Sequence, residues 1–260
     1  MTERKIDVEV EVPGTPEQVW DAIATGPGIS SWFMPVTVEE REGGEIVYDP
    51  GQEFSSTATV AAWEPPHRFV YEEDGLPGGE VGTTLATEWL VEAQAGGTCI
   101  VRLVISGFGP GDEFDKAIES FGAGWRTALN DLRLYLTHFP GQSAASVTVV
   151  GTTTGRSKDD VWAQLTGALG APAAAASGER VAMSAGGSAT LAGVVATSEP
   201  GMLSLLLDEP APGLGFVGAG GPGDEVYTFV RAHLFGDDAP AIAARDEPAW
   251  QAWLGEQFQP

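Results

Sequence analysis

The side chains best suited to metal or nucleophile chemistry are few: three histidines, His67, His138 and His233, and one cysteine, Cys99. The histidines are far apart and none has a companion at ligand spacing, so no metal centre is expected. His67 falls in a turn and His138 near a helix end, where both read as surface residues. Cys99 sits inside the strand-like run Thr98-Cys99-Ile100-Val101-Arg102-Leu103-Val104-Ile105 with no base beside it. A lone cysteine forms no internal disulfide, and this one reads as a small buried strand residue. The acidic groups Glu39-Glu40-Glu42, Glu72-Glu73-Asp74 and Asp112-Glu113-Asp115 lack the alternating spacing and distal Glu of a calcium loop, and read as solvated faces or helix caps. The Gly-rich stretch 213–223 lacks the Lys-Ser/Thr of a phosphate loop and reads as a flexible loop. No catalytic residue, metal ligand or cofactor is expected.

What remains is aromatic. Trp32, Phe33, Phe69, Tyr71, Trp89, Phe121 and Trp125 form the constellation that could line an apolar pocket, although the same rings would serve equally well as packed core. Glu88 and Arg102 are the strand charges nearest the pocket walls, but alternation turns them away from the face of Trp89 and Leu103.

Positioning those rings requires a sheet and something to cover it. Residues 5–12 alternate strictly, with Ile6, Val8, Val10 and Val12 on one face and charges on the other, which predicts a strand with one wet side. Thr15-Pro16-Glu17-Gln18 supplies a capping hydroxyl, a first-turn proline and an acceptor three residues on, opening a short helix through Val19, Trp20 and Ile23 that Gly26-Pro27-Gly28 stops. Between 36 and 105, short β-like runs separated by turn signals at 43–44, 49–51, 65–66, 75–79 and 96–97 predict an antiparallel meander. Phe69, Tyr71, Trp89 and Val91 share one of its faces. The cover follows: 112–139 carries Phe114, Ile118, Phe121, Trp125, Leu129, Leu132, Leu136 and Phe139 in steps of three and four, a helix of about 40 Å at 1.5 Å per residue.

After a small, polar linker at 141–146 the order restarts. Ser157-Lys158-Asp159-Asp160-Val161-Trp162 repeats the logic of 15–20 at an offset of 142, and 195–200 mirrors 60–65 at an offset of 135, which argues for a duplicated unit. The second copy is expected to be degenerate. Where the first has 29–35 it has only Ala- and Gly-rich chain at 167–178, Ser204 and Leu206 stand for Phe69 and Tyr71, and the final helix, 246–258, reads as about half as long.

Composition narrows the partners. Thirteen basic against 37 acidic residues give −24, of which residues 1–140 hold 8 and 24, or −16. Such a surface repels phosphate backbones and anionic headgroups, and no Lys/Arg cluster offers an exception, so nucleic acid and membrane are excluded as partners. No run approaches the ~20 apolar residues of a spanning helix, and the charged start lacks a signal-peptide core, which predicts a cytoplasmic protein.

Taken in order, the Pro-x-x-Val-Trp-Asp-Ala helix at 16–22, the short Ser31-Trp32-Phe33 helix, Val60 through Pro65-Pro66 to Arg68-Phe69-Val70-Tyr71, Gly96-Gly97-Thr98, Ser106-Gly107-Phe108, and Gly124-Trp125 with Leu129 and Leu132 resemble a known family. It is the activator of heat-shock-protein-90 ATPase homologue-like branch of the START-like (SRPBCC) superfamily, and the resemblance spans 4–139. It implies an α+β helix-grip fold for 1–140: a curved antiparallel sheet around a long C-terminal helix, enclosing a cavity for an apolar small molecule. Residues 147–260 resemble it weakly, as a degenerate helix-grip copy. The resemblance leaves three functions open: a ligand-binding protein, an enzyme of the cyclase or hydrolase kind, and a co-chaperone-like module with a protein partner.

Overall fold

The computed structural model describes residues 4–49, 55–74, 84–108, 112–221 and 225–258; within the long helix, side chains are described at Ile118 and from Phe121 onward. The turn signals at 50–51 and 75–79, residues 109–111, the side chains of Phe114 and of Asp112-Glu113-Asp115, and Pro222 and Gly223 lie outside the described residues. Two compact units divide the chain, Met1–Ser143 and Ala144–Pro260.

In chain order the first unit consists of β1 (Ile6–Pro13), α1 (Pro16–Ala24), α2 (Gly26–Ser30), β2 (Val36–Val38), β3 (Glu45–Tyr48), β4 (Ser56–Glu64), β5 (Arg68–Asp74), β6 (Thr84–Gln94), β7 (Thr98–Ser106) and α3 (Asp112–His138). The strands form one antiparallel sheet ordered β1-β7-β6-β5-β4-β3-β2, a meander closed at one edge by β1. Alternation in β1 works as expected from its sequence: Ile6, Val8, Val10 and Val12 lie opposite Ile105, Leu103, Val101 and Cys99 of β7. The same inner face continues through Val91, Trp89, Thr87 and Leu85 of β6, all buried. On the outer face the charges pair with one another, Asp7 with Arg102 and Glu88 with Arg68.

The first helix carries the expected capping box, in which Thr15 N–H donates to Gln18 Oε1 (2.9 Å) and Gln18 N–H to Thr15 Oγ1 (3.4 Å). The helix ends at Ala24, just before Gly26-Pro27-Gly28 as expected, but that triplet also opens a second helix. Thr25 is extended and caps α2 by accepting from Gly28 N–H (3.1 Å), and a proline is tolerated in a first turn. Gly28 must be glycine, because a Cβ there would lie 1.8 Å from the carbonyl oxygen of Asp21. Ser31, Trp32 and Phe33 form the turn after this helix, not a helix of their own.

Unit two comprises β8 (Ala145–Thr154), α4 (Lys158–Leu169), β9 (Arg180–Ser184), β10 (Thr190–Glu199), β11 (Met202–Glu209), β12 (Gly213–Gly220), β13 (Glu225–Leu234) and α5 (Ala239–Gln257), its sheet ordered β8-β13-β12-β11-β10-β9. This is the first unit without α2 and β2. Ala145 and Ser146 already belong to β8, paired with Leu234 and His233. Residues 213–220 are a central strand, correcting the reading of 213–223 as a loop. Their glycines answer to close neighbours: a Cβ at Gly213 would lie 2.4 Å from the carbonyl oxygen of His233, and one at Gly215 would lie 3.0 Å from Leu207. The last helix is 19 residues long, beginning at Ala239 with a first-turn proline and running through Pro248, so it is longer than 246–258 suggested.

An irregularity shared by the two units carries the duplication. Ala61 is an extra residue in β4, between Val60 opposite Tyr71 and Ala62 opposite Val70. Val60 N–H donates to Gly44 O and its carbonyl accepts from Gly43 N–H, both at 2.8 Å. In β10 the extra residue is Ala196, and Val195 makes the same two bonds with Glu179 and Gly178, again at 2.8 Å. All four positions are offset by 135. Past the bulge the following turn is one residue shorter in the second unit, so Leu203 and Leu205, not Ser204 and Leu206, occupy the places of Phe69 and Tyr71.

Unit one has its own sheet and its own covering helix. Residues 1–143 expressed alone are therefore expected to melt in one cooperative transition. A soluble fragment lacking a sigmoidal thermal transition by circular dichroism would show that the unit depends on the rest of the chain.

Candidate ligand-binding site

The inner face of the first sheet brings its rings together through strand register. Trp63 lies opposite Phe69, Phe69 opposite Trp89, and Tyr71 opposite Thr87. Trp63 reaches this face only because of the Ala61 bulge, which lets Val60 and Trp63, three residues apart, point the same way. Around Phe69 the contacts are Trp63 at 5.3 Å and Tyr71 at 5.5 Å between ring centroids, with Trp20 of α1 edge-on to Trp63 at 5.0 Å.

A second group forms where the turn after α2 meets α3. Trp32 is fixed by its Nε1–H donating to Ala22 O (2.9 Å), and Phe33 N–H donates to Ile29 O (2.9 Å). Trp125 stacks on Phe33 (5.2 Å, 22°) and meets Trp89 edge-on (5.6 Å, 82°). Trp32 approaches Trp89 at 6.4 Å. Of the seven rings expected to act together, six thus belong to the two linked groups, and none of the ring contacts described here involves Phe121.

Burial along the α3 stripe is graded. Leu129, Leu132 and Leu136 are 2%, 0% and 5% exposed, whereas Trp125 and Ile118 are half-buried and Phe121 is 37% exposed. These residues lie on one helical face by spacing, so the C-terminal half of the helix is seated on the sheet and the stripe further back is open to solvent. In the second unit the corresponding helix is seated throughout its aromatic part: Trp250 is 1%, Trp253 7% and Leu254 0% exposed, and a Cβ on Gly151 would lie 3.2 Å from Leu254.

At the β3–β5–β6 end the inner face turns polar. Tyr48 and Tyr71 are buried with ring centroids 6.3 Å apart, and Thr87 beside them is 2% exposed. Burial pushes the Tyr71 phenol up to about 12, against hydrogen bonds with Tyr48 and Thr87 that pull the other way. It also pushes Tyr48 well above the ordinary phenol range, with Tyr71 adding to the effect. Glu73, two residues beyond Tyr71 and opposite Leu85, faces the same way and is half-buried, and desolvation raises its carboxyl. This corrects the reading of Glu72-Glu73-Asp74 as one solvated face: only Glu72 and Asp74 are exposed. The alternation that places Phe69 and Tyr71 inward already includes Glu73. Tyr48 and Trp63 were not legible in the same way, because their facing depends on turns and a bulge.

Cys99 is buried, its thiol donating to Gly14 O (3.5 Å), and burial raises its pKa, with Glu17 adding to the rise; neither effect suits a nucleophile. Among the described residues no group of three or more His, Cys, Asp or Glu is gathered to hold a metal ion, and no helix is long and apolar enough to cross a membrane.

An antiparallel meander closed by its first strand, two short helices after that strand, and one long C-terminal helix laid on the inner face define the helix-grip class of α+β domains. Residues 13–137 match the family described as Activator of Hsp90 ATPase homolog 1-like protein, and the first unit is a domain of that family. No curated protein matches the chain. Among solved structures it is similar to protein MLL2253 of Mesorhizobium loti (21% identity, 52% of this chain and 98% of that one, TM-score 0.46). It is also similar to the Aha1 dimer of Colwellia psychrerythraea (18%, 51% and 96%, 0.43) and to DynU16 of the dynemicin biosynthetic locus (17%, 96% and 96%, 0.45).

All four tyrosines of the chain have raised pKa values, Tyr48, Tyr71 and Tyr135 chiefly through burial and Tyr227 chiefly through its hydrogen bond to Glu225. Below the unfolded phenol value of about 10 such shifts leave stability unchanged. Above it the unfolded chain releases protons that the folded chain retains, so stability is lost as pH rises. Absorbance at 295 nm is expected to stay flat through about pH 10 and to rise only together with loss of the circular dichroism signal. A reversible step of all four tyrosines near that pH, with the fold intact, would place Tyr48 and Tyr71 in water.

Proposed function

We propose that the first unit binds an apolar small molecule in a cleft between the inner face of its sheet and the stripe of α3 that runs from Ile118 to Trp125. The observation that carries this reading is the exposure of Phe121, Ile118 and Trp125 on the same stripe whose Leu129, Leu132 and Leu136 are sealed. Apolar side chains aimed at a sheet and still open to water mark a gap between the two layers. The half-buried Phe33 and Trp125 are its walls and Phe121 stands at its mouth, with Trp32, Phe69, Tyr71 and Trp89 sealed in the layer beneath, where a ligand would reach them by parting the rings. The second unit, with its helix seated, has the core of a structural or partner-binding domain. A cytoplasmic setting belongs to this reading, supported by a single buried thiol and no disulfide.

Nile red, a neutral apolar dye, should bind the full chain at one site with a blue-shifted emission. Trp125→Ala is expected to weaken that binding about tenfold, the loss of one aromatic wall. Leu132→Ala, in the sealed half, should leave the affinity near wild type and lower stability by about 2–5 kcal/mol. Absence of saturable binding, or an unchanged Kd in Trp125→Ala, would sink the proposal.

A further inference from the structure

Glu73 is anomalous for its position. Outer-face carboxylates of this sheet are either paired or exposed to water: Asp7 binds Arg102 and Lys5, Glu88 and Glu64 bind Arg68, Asp74 accepts from Thr84 Oγ1 at 2.9 Å, and Glu9, Glu72 and Glu92 are exposed. The inner face holds one carboxylate among the described residues of its strands, and that carboxylate has no hydrogen-bond or ion-pair partner there. A half-buried unpaired carboxylate is unfavourable in the empty protein, and such a group is retained where something else satisfies it. Tyr71 lies two residues away on the same face, the ring of Tyr48 lies 6.3 Å from that of Tyr71, and the charge of Glu73 acts on both phenols.

Resting on the cleft proposed above, we infer that its ligand is an amphiphilic amine whose protonated nitrogen is held by the Glu73 carboxylate and the Tyr48 and Tyr71 hydroxyls, with its apolar body among Trp89, Trp125 and Phe33. An ammonium group presents three N–H donors, and this end of the face presents three acceptors. The rings nearby are aromatic, whose faces favour a cation over a neutral or anionic group. The charge of the unit, −16 over residues 1–140, draws cations and repels anions. A carboxylate or phosphate ligand would meet Glu73 without a compensating Lys or Arg among the described inner-face residues, and a neutral head group would leave Glu73 unpaired.

The test is displacement of Nile red from the full chain by three ligands with one apolar body: 1-naphthylmethylamine, 1-naphthylmethanol and 1-naphthoate. Measured in 0.5 M NaCl, which screens distant surface charge to within about 4–5 Å, the amine should compete about tenfold better than the alcohol, and the carboxylate worst. Glu73→Gln should bring the amine to within about twofold of the alcohol and leave the alcohol unchanged, because only the charged contact is lost. Glu72→Gln removes the same charge from the exposed neighbour and should alter neither. If Nile red and the alcohol bind but the amine has no advantage, or keeps it in Glu73→Gln, the amine inference falls while the cleft stands. If neither dye nor alcohol binds, the cleft reading fails and takes the inference with it.

Discussion

Strict two-residue alternation in an antiparallel sheet divides its side chains between water and an interior, and in the first unit everything else answers to that division. The inner face runs from Ile6 through Ile105, Thr87 and Tyr71 in one cross-strand row and from Val8 through Leu103, Trp89 and Phe69 in the next. Rows of this width need a cover longer than an average helix, and the 27 residues of α3 supply it. The hydrophobic stripe of α3 matters because the sheet has to be covered, and the caps, turns and outer ion pairs keep the two layers in register.

Two copies of one architecture have resolved the space between the layers differently. In the second unit the inner face is built of small and aliphatic residues, with Leu203 and Leu205 where the first has Phe69 and Tyr71, and Ser198 where it has Trp63. Gly151 lets Leu254 descend onto β8, and the helix lies close. Where large rings stand on the sheet the helix above keeps exposed and half-buried residues on its stripe; where leucines and glycines stand, the aromatic part of the helix is buried.

Much of this could be read from residue types and periodicity. The alternation of 5–12, the capping box at Thr15 and the stripe of 112–139 each predicted an element that the structure contains, because each signal is local and set by backbone geometry. Readings failed where glycine and proline were taken as punctuation. Gly26-Pro27-Gly28 begins a helix, and 213–220 is a strand whose glycines admit neighbouring atoms. In each, tertiary contacts decided what the residue was for. Glu73 was misread for another reason: composition grouped it with Glu72 and Asp74 although its spacing from Tyr71 placed it with the rings.

The bulge at Ala61 makes the sheet behave like text with a reading frame. Upstream of it, inward residues fall at 58 and 60; downstream, at 63, so one inserted residue switches the parity of the strand. Straightening the bulge with that residue kept would be to the strand what a frameshift is to a message: every later side chain would change faces at once, sending Trp63 into water and Glu64 into the interior. Substitutions can be tried one at a time along such a strand, but the extra residue and the bulge that absorbs it have to be kept together. That difference accounts for a second unit that has exchanged most of its inner side chains yet still carries an extra residue at Ala196, hooked to the same pair of backbone groups.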